Sequence, residues 1–134
     1  MRNLGSGSCS QVDLIYHLEK RELMAMKCYF INDEEQTKLF DREKKSYSEI
    51  IHRFLPKFYG ASEKEKYLVM EFINGLTLSH IDKIQLNDED VVIIIFELIV
   101  ILEYLHSKKL IYRDLNLNNI MIDIFKNVVL IDCF

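Results

Sequence analysis

Several things this sequence lacks narrow what it can be. With one Pro and four Gly in 134 residues, it has neither a collagen-like nor a low-complexity composition, so fibrous and tail-like readings fail. It lacks surplus positive charge: 17 Lys and Arg stand against 21 Asp and Glu, a net charge of -4. A chain so balanced offers no basic surface for a nucleic-acid backbone, and nucleic acid is not an expected partner. It also lacks a long uninterrupted apolar run. The stretch from Val91 to Leu102 is broken by Glu97, too short and too charged to span a bilayer, so a buried helix is expected and a membrane is not. The opening residues from Met1 to Ser6 lack the apolar stretch of about 7–15 residues that a secretory signal requires. Three cysteines, an odd number with no CxxC spacing and no clustered His, suggest neither a disulfide framework nor a zinc site. A reducing, cytoplasmic (intracellular) setting is the expectation.

What is present is enough apolar sequence, 49%, to bury one sizeable core. From Leu4 to Phe72 the pattern is mostly short strands. Val12, Leu14, Tyr16 and Leu18 alternate with polar residues, and after the charged turn from Glu19 to Glu22 a second run extends from Leu23 to Phe30, which predicts an antiparallel hairpin. Glu34 to Arg53 reads as a helix ended by Pro56, with Leu39, Glu43, Tyr47 and Ile50 close to one face. Two strands, Phe58 to Ala61 and Tyr67 to Phe72, flank the charged turn Glu63-Lys64-Glu65-Lys66. Asn74-Gly75 breaks the pattern and is the expected linker between two lobes, 1–73 and 74–134. Beyond it, Asn87 is placed to cap a helix running to about Ser107, whose first turn, Asp88-Glu89-Asp90, complements the helix dipole. Ile120 to Ile122 and Val128 to Ile131 predict a second hairpin.

Four groups of residues suggest chemistry. The segment from Leu4 to Val12 puts Gly5 and Gly7 at a strand-to-strand turn, where glycine lets the backbone approach a ligand; a Gly-Ser turn can equally be only a turn. On the next strand, period-two geometry puts Leu23, Ala25 and Lys27 on one face. A small residue there can floor a planar base while the ammonium reaches phosphates, although an edge-strand lysine can also snorkel to water. Glu43 shares the apolar face of its helix and, if it points inward, needs a cation, for which Lys27 is the obvious partner. Glu43 could instead be one of the solvated charges of Asp41-Arg42-Glu43-Lys44-Lys45, and Glu49 is a rival acid, but the facing argument favours Glu43. Tyr112-Arg113-Asp114-Leu115-Asn116-Leu117-Asn118-Asn119, followed after the hairpin by Asp132, supplies hard oxygen ligands suited to magnesium and a base for a hydroxyl. Asx-rich loops are also common turn formers.

The order of these pieces resembles the eukaryotic protein kinase signature set, from Leu4 to Asp132. The resemblance implies an α+β fold, with an antiparallel-sheet small lobe carrying one helix and a truncated, mainly helical large lobe. It implies that Leu4, Gly5 and Gly7 cover ATP, that Val12, Ala25 and Met121 enclose adenine, and that Lys27, paired with Glu43, holds the α- and β-phosphates. Met70 is similar to the gatekeeper, with the backbones of Glu71 and Ile73 facing the adenine edge. Asp114 is implied as the residue that orients or accepts the proton of the substrate hydroxyl, and Asn119 and Asp132 as ligands of Mg2+.

The sequence departs from that pattern in several places. Ser10 replaces the third loop glycine, Tyr112 stands where the family usually has His, and Asn116 replaces the usual lysine, removing a positive charge near the transferring phosphoryl group. Asp132-Cys133-Phe134 keeps the acid without the usual Phe-Gly, and the activation segment and remaining helices are not in the chain. The implied function is an ATP-dependent protein kinase, Ser/Thr rather than Tyr, with an unidentified protein substrate. The alternative is an inactive kinase fragment or pseudokinase that binds nucleotide or a partner covering the exposed large-lobe remnant. A small-molecule phosphotransferase shares the Asp and Asn logic, but Arg113 argues against it.

Overall fold

The computed structural model describes residues 2–132. The Cys133-Phe134 departure lies outside the described residues. The described chain forms two compact units, one reaching to Ile51 and resuming over Lys57–Phe72, the other built from His52–Pro56 and the residues from Ile73 onward.

The first unit is a five-stranded antiparallel sheet in the order β1-β2-β3-β5-β4, where β1 is Arg2–Ser6, β2 Ser10–His17, β3 Glu22–Tyr29, β4 Phe58–Ser62 and β5 Tyr67–Glu71. Its hairpins follow the sequence expectation closely. Gly is scarce, and the tight turns place charged residues in the left-handed region instead, Arg21 at φ 54° and Lys66 at φ 51°. The register sets Val12 opposite Lys27, Leu14 opposite Ala25, and Ala25 opposite Met70, so these side chains share one face of the sheet.

Helix α1, Glu34–Glu49, begins at Asp33, whose side chain accepts from the Gln36 N–H at 2.8 Å. It packs against the sheet through Phe40, Glu43, Ser46 and Tyr47. Phe40, fully buried, takes the place expected for Leu39, which lies half-buried about 100° further round the helix. The helix also ends at Glu49, short of the expected Arg53, and Pro56 is not its terminator. Ile50 is already extended at φ -112°, ψ 136°, and the residues that follow are held elsewhere: Phe54 accepts from the Leu130 N–H at 2.9 Å and the His52 ring lies 4.7 Å from that of Tyr104. Those contacts join His52–Pro56 to the second unit.

In the second unit, helix α2, Asp88–Ser107, opens with a capping box between Asn87 and Asp90. Its buried stripe, Ile94, Glu97, Ile101 and Leu105, faces a three-stranded sheet of β6 (Gly75–Thr77), β7 (Ile120–Asp123) and β8 (Val128–Leu130). Glu97 is tolerated in that stripe because it accepts the Val128 N–H at 2.9 Å and faces the Arg53 guanidinium at 3.4 Å. Gly75 is part of a strand rather than a free linker. A Cβ there would sit 2.1 Å from the Ile122 carbonyl oxygen, so glycine is what allows β6 to close on β7. The other side of α2 leaves Val92, Ile95, Phe96 and Ile99 each more than half exposed. Among the described residues, no helix is long and apolar enough to cross a membrane.

Candidate functional site

Within the first unit, β3 and α1 bring together the two residues that most need each other. Lys27 Nζ donates to Glu43 Oε2 at 2.7 Å, with 7% and 4% of the two side chains exposed. Tyr29, two residues along the strand and therefore on the same face, donates its hydroxyl to the same oxygen at 2.6 Å. The sequence reading missed Tyr29, although period-two spacing from Lys27 carries the signal. Glu49 is exposed. A buried ion pair satisfied this way holds α1 at a defined height against β3 and fixes the ammonium in place.

Beside the pair, Val12, Leu14, Ala25 and Met70 form the apolar part of the same sheet face, which suits a flat, apolar ligand. Leu4, Gly5 and Gly7 are exposed on β1 and the turn after it. No heavy atom beyond its chain neighbours lies within 4 Å of a Cβ built on Gly5, so the backbone there is open to close approach. The Gly7 N–H is engaged, donating to the Ser10 carbonyl at 2.8 Å to close the turn. The Glu71 N–H is likewise engaged by the Lys57 carbonyl at 2.8 Å. An open depression of about 460 Å³ lies elsewhere on this unit, between Cys9 and the Leu39 and Arg42 side of α1.

The second unit holds Ile73, Asp114, Asn119, Met121 and Asp132. The Asp114 to Asn119 loop is closed on itself. Asn119 Nδ2 donates to the Asp114 carbonyl at 3.0 Å and to Asp114 Oδ2 at 3.1 Å. Because the amide nitrogen is spent on Asp114, Asn119 Oδ1 is the atom left to meet a cation. Asn116 turns inward too: its Nδ2 donates to the Asp114 carbonyl at 3.2 Å, and its Oδ1 accepts from the Asn118 N–H at 2.9 Å. Asp114 and Asp132 are both exposed. Met121, half-buried on β7, pairs with Thr77 and Val129.

No group of three or more His, Cys, Asp and Glu among the described residues is arranged to hold a metal ion. The donors present, one amide oxygen and exposed carboxylates, instead fit a hard cation that takes few protein ligands and completes its shell with water and phosphate oxygens, as Mg2+ does.

The sequence matches the protein kinase domain family over residues 1–133. It is 30% identical to the cAMP-dependent protein kinase catalytic subunit of Dictyostelium discoideum over 130 residues, covering 92% of this chain and 20% of that protein. It is 33% identical to human ribosomal protein S6 kinase alpha-3 over 135 residues, covering 92% of this chain and 18% of the other. The chain thus spans about a fifth of the length of these relatives. The solved structure of PpkA-294 in apo form superposes with a TM-score of 0.84 at 20% identity, over 98% of this chain and 56% of that one, and so agrees in fold. On these matches and the signature residues above, the chain belongs to the protein kinase domain family.

Proposed function

We propose that this chain forms the nucleotide-binding and catalytic-loop portion of an ATP-dependent protein kinase, with residues 1–73 as small lobe and hinge and 74–134 as the start of the large lobe. The reaction is transfer of the γ-phosphoryl group of Mg-ATP to a protein hydroxyl, Ser or Thr in preference to Tyr. The observation that carries this reading is the buried Lys27–Glu43 pair. Replacing such a pair with apolar side chains is often neutral or stabilising, so a site that keeps one, braced by a tyrosine, is better explained by a ligand for the ammonium than by stability.

In this reading Lys27 binds the α- and β-phosphates, and Glu43 holds it in position. Val12 and Ala25 are the adenine contacts of the first unit, with Met70 as gatekeeper and Leu4, Gly5 and Gly7 over the nucleotide, and Met121 is the adenine contact of the second. The Glu71 N–H is occupied, so the polar edge of adenine is met by the Glu71 carbonyl and the Ile73 backbone. Asp114 orients the substrate hydroxyl or accepts its proton, with its carboxylate held by Asn119. Asn119 and Asp132 are the magnesium ligands. When bound, Mg2+ neutralises the charge that develops on the phosphoryl oxygens.

A second reading has its own support. Asn116 brings no cation to the catalytic loop and spends its amide within it, and the apolar side of α2 is open to a partner. Both features suit a module that binds nucleotide or protein without transferring phosphate. The deciding experiment is a thermal melt of the purified chain with and without Mg-ATP, run beside Lys27→Ala, followed by a transfer assay with Asp114→Ala. At a nucleotide concentration 100-fold above Kd, stabilisation of about 2.7 kcal/mol is expected, lost in Lys27→Ala. Transfer that disappears in Asp114→Ala supports the kinase reading. Binding without transfer selects the second, and no nucleotide response in the wild type overturns both nucleotide readings.

A further inference from the structure

Tyr29 stands beside Lys27 on the same face of β3 and shares its acceptor. The ammonium, at 2.7 Å, and the tyrosine hydroxyl, at 2.6 Å, both donate to Glu43 Oε2. The hydroxyl is delivered from a fixed ring. Tyr29 is 7% exposed, its ring meets the fully buried Phe40 edge-on at 5.2 Å, and its backbone N–H donates to the Lys66 carbonyl at 2.9 Å. Phe40 lies three residues before Glu43 and so on the same side of α1, which means that one β3 side chain touches the helix at two successive positions. A phenylalanine would fill this space as well. A hydroxyl in so dry a place needs an acceptor, and the acceptor here is the acid paired with Lys27.

We infer that Tyr29 is a positioning residue for nucleotide binding: its hydroxyl holds Glu43 inward independently of Lys27, so that the ammonium turns its other donors to phosphate oxygens without losing its anchor. The inference rests on the kinase reading above. The charges supply the reason. An ammonium has three N–H donors, and sharing them with phosphates weakens its hold on Glu43, while the carboxylate itself repels the phosphates. A hydroxyl on the same oxygen offsets both effects: it retains the carboxylate while the ammonium is shared, and it takes up part of the negative charge on Oε2.

The test is Tyr29→Phe, which keeps the ring and its contact with Phe40 and removes only the hydroxyl. The readout compares Mg-ADP with adenosine, each displacing a fluorescent ATP analogue from the purified chain, because adenosine lacks the phosphates assigned to Lys27. The Kd for Mg-ADP is expected to rise roughly fivefold, equivalent to about 1 kcal/mol, with the Kd for adenosine unchanged. A merely structural role would weaken both ligands alike or neither. Tyr67→Phe is the control. Tyr67 lies opposite Cys28 in the β3–β5 register, on the other face of the sheet from Lys27 and Tyr29, and its variant is expected to leave both values unchanged. Equal loss for the two ligands, loss for neither, or the same loss in Tyr67→Phe overturns the inference while the kinase reading stands. A wild-type chain that binds no nucleotide overturns both. Should Tyr29→Phe fail to fold, carbodiimide labelling of Lys27→Met, read by mass spectrometry, decides. With the ammonium gone, Glu43 should still react far more slowly than the exposed Glu49, because the Tyr29 hydroxyl retains it, and equal labelling of the two acids overturns the inference.

Discussion

Removing Glu43 is the most informative single perturbation of this chain. Glu43→Ala takes a carboxylate away from the Lys27 ammonium, whose side chain is only 7% exposed, and removes the oxygen to which the Tyr29 hydroxyl donates at 2.6 Å. Breaking a buried pair from one side costs about 3–5 kcal/mol, because the remaining charge is still desolvated. The charge-assisted hydrogen bonds are part of that sum and are not added to it. Against a total stability on the order of 5–15 kcal/mol for a small domain, such a loss moves the urea midpoint far to the left. Lys27→Met combined with Glu43→Leu removes both charges and refills the space, so the double variant is expected to be more stable than Glu43→Ala alone. Glu49→Ala, at an exposed position, is expected to change stability by less than about 0.5 kcal/mol. Urea titrations followed by far-ultraviolet circular dichroism, compared at equal m-value, measure all three. The reasoning is refuted if Glu43→Ala costs under about 1 kcal/mol, or if the double variant is no more stable than Glu43→Ala.

Three further outcomes are expected. Gly75→Ala should destabilise the chain by about 1–3 kcal/mol in the same titration, since its Cβ would press on the Ile122 backbone; a cost below about 0.5 kcal/mol would show that β6 shifts freely. Burial, and next the Arg53 guanidinium, hold His52 below its ordinary pKa of 6.5, so the unfolded chain takes up this proton first and stability falls as pH drops through that region. His52→Asn should therefore flatten the stability profile between pH 7.5 and 5.5, and an unaltered slope contradicts the assignment. Burial, and then the Asp13 carboxylate, push the Cys28 thiol above its ordinary 9.0. Iodoacetamide should label Cys28 slowly at pH 8 and faster in Asp13→Asn, as read by mass spectrometry, and a slower rate in that variant would be inconsistent with repulsion.

Much of the local structure was legible without coordinates because its causes span only a few residues. Alternation and charged turns mark the β2–β3 and β4–β5 hairpins, and Asn87 with Asp90 marks the start of α2 through a capping box that closes over three residues. The order of glycine turn, Ala25-x-Lys27, inward acid, Asp114 to Asn119 loop and Asp132 also needs no structure to be seen, and it points to the family that the whole-chain match establishes.

Tertiary structure decided what depends on partners distant in sequence. Periodicity favours Glu43 over Glu49 but could not show it buried; the packing against β3 does, because only an acid facing Lys27 can be desolvated without an unpaired charge. Nor could periodicity end α1 at Glu49, since the chain is drawn away by a strand and a helix that follow much later, through Leu130 and Tyr104. Gly75 reads as a break in one dimension and as a strand in three, where its missing Cβ admits the Ile122 carbonyl. The inward turn of Asn116 and the bond from the Tyr112 hydroxyl to the Ile131 carbonyl belong to the same class. A hydrogen bond between groups far apart in sequence, or between two of several Asx side chains, is selected by packing, and packing is settled only when the whole chain has folded.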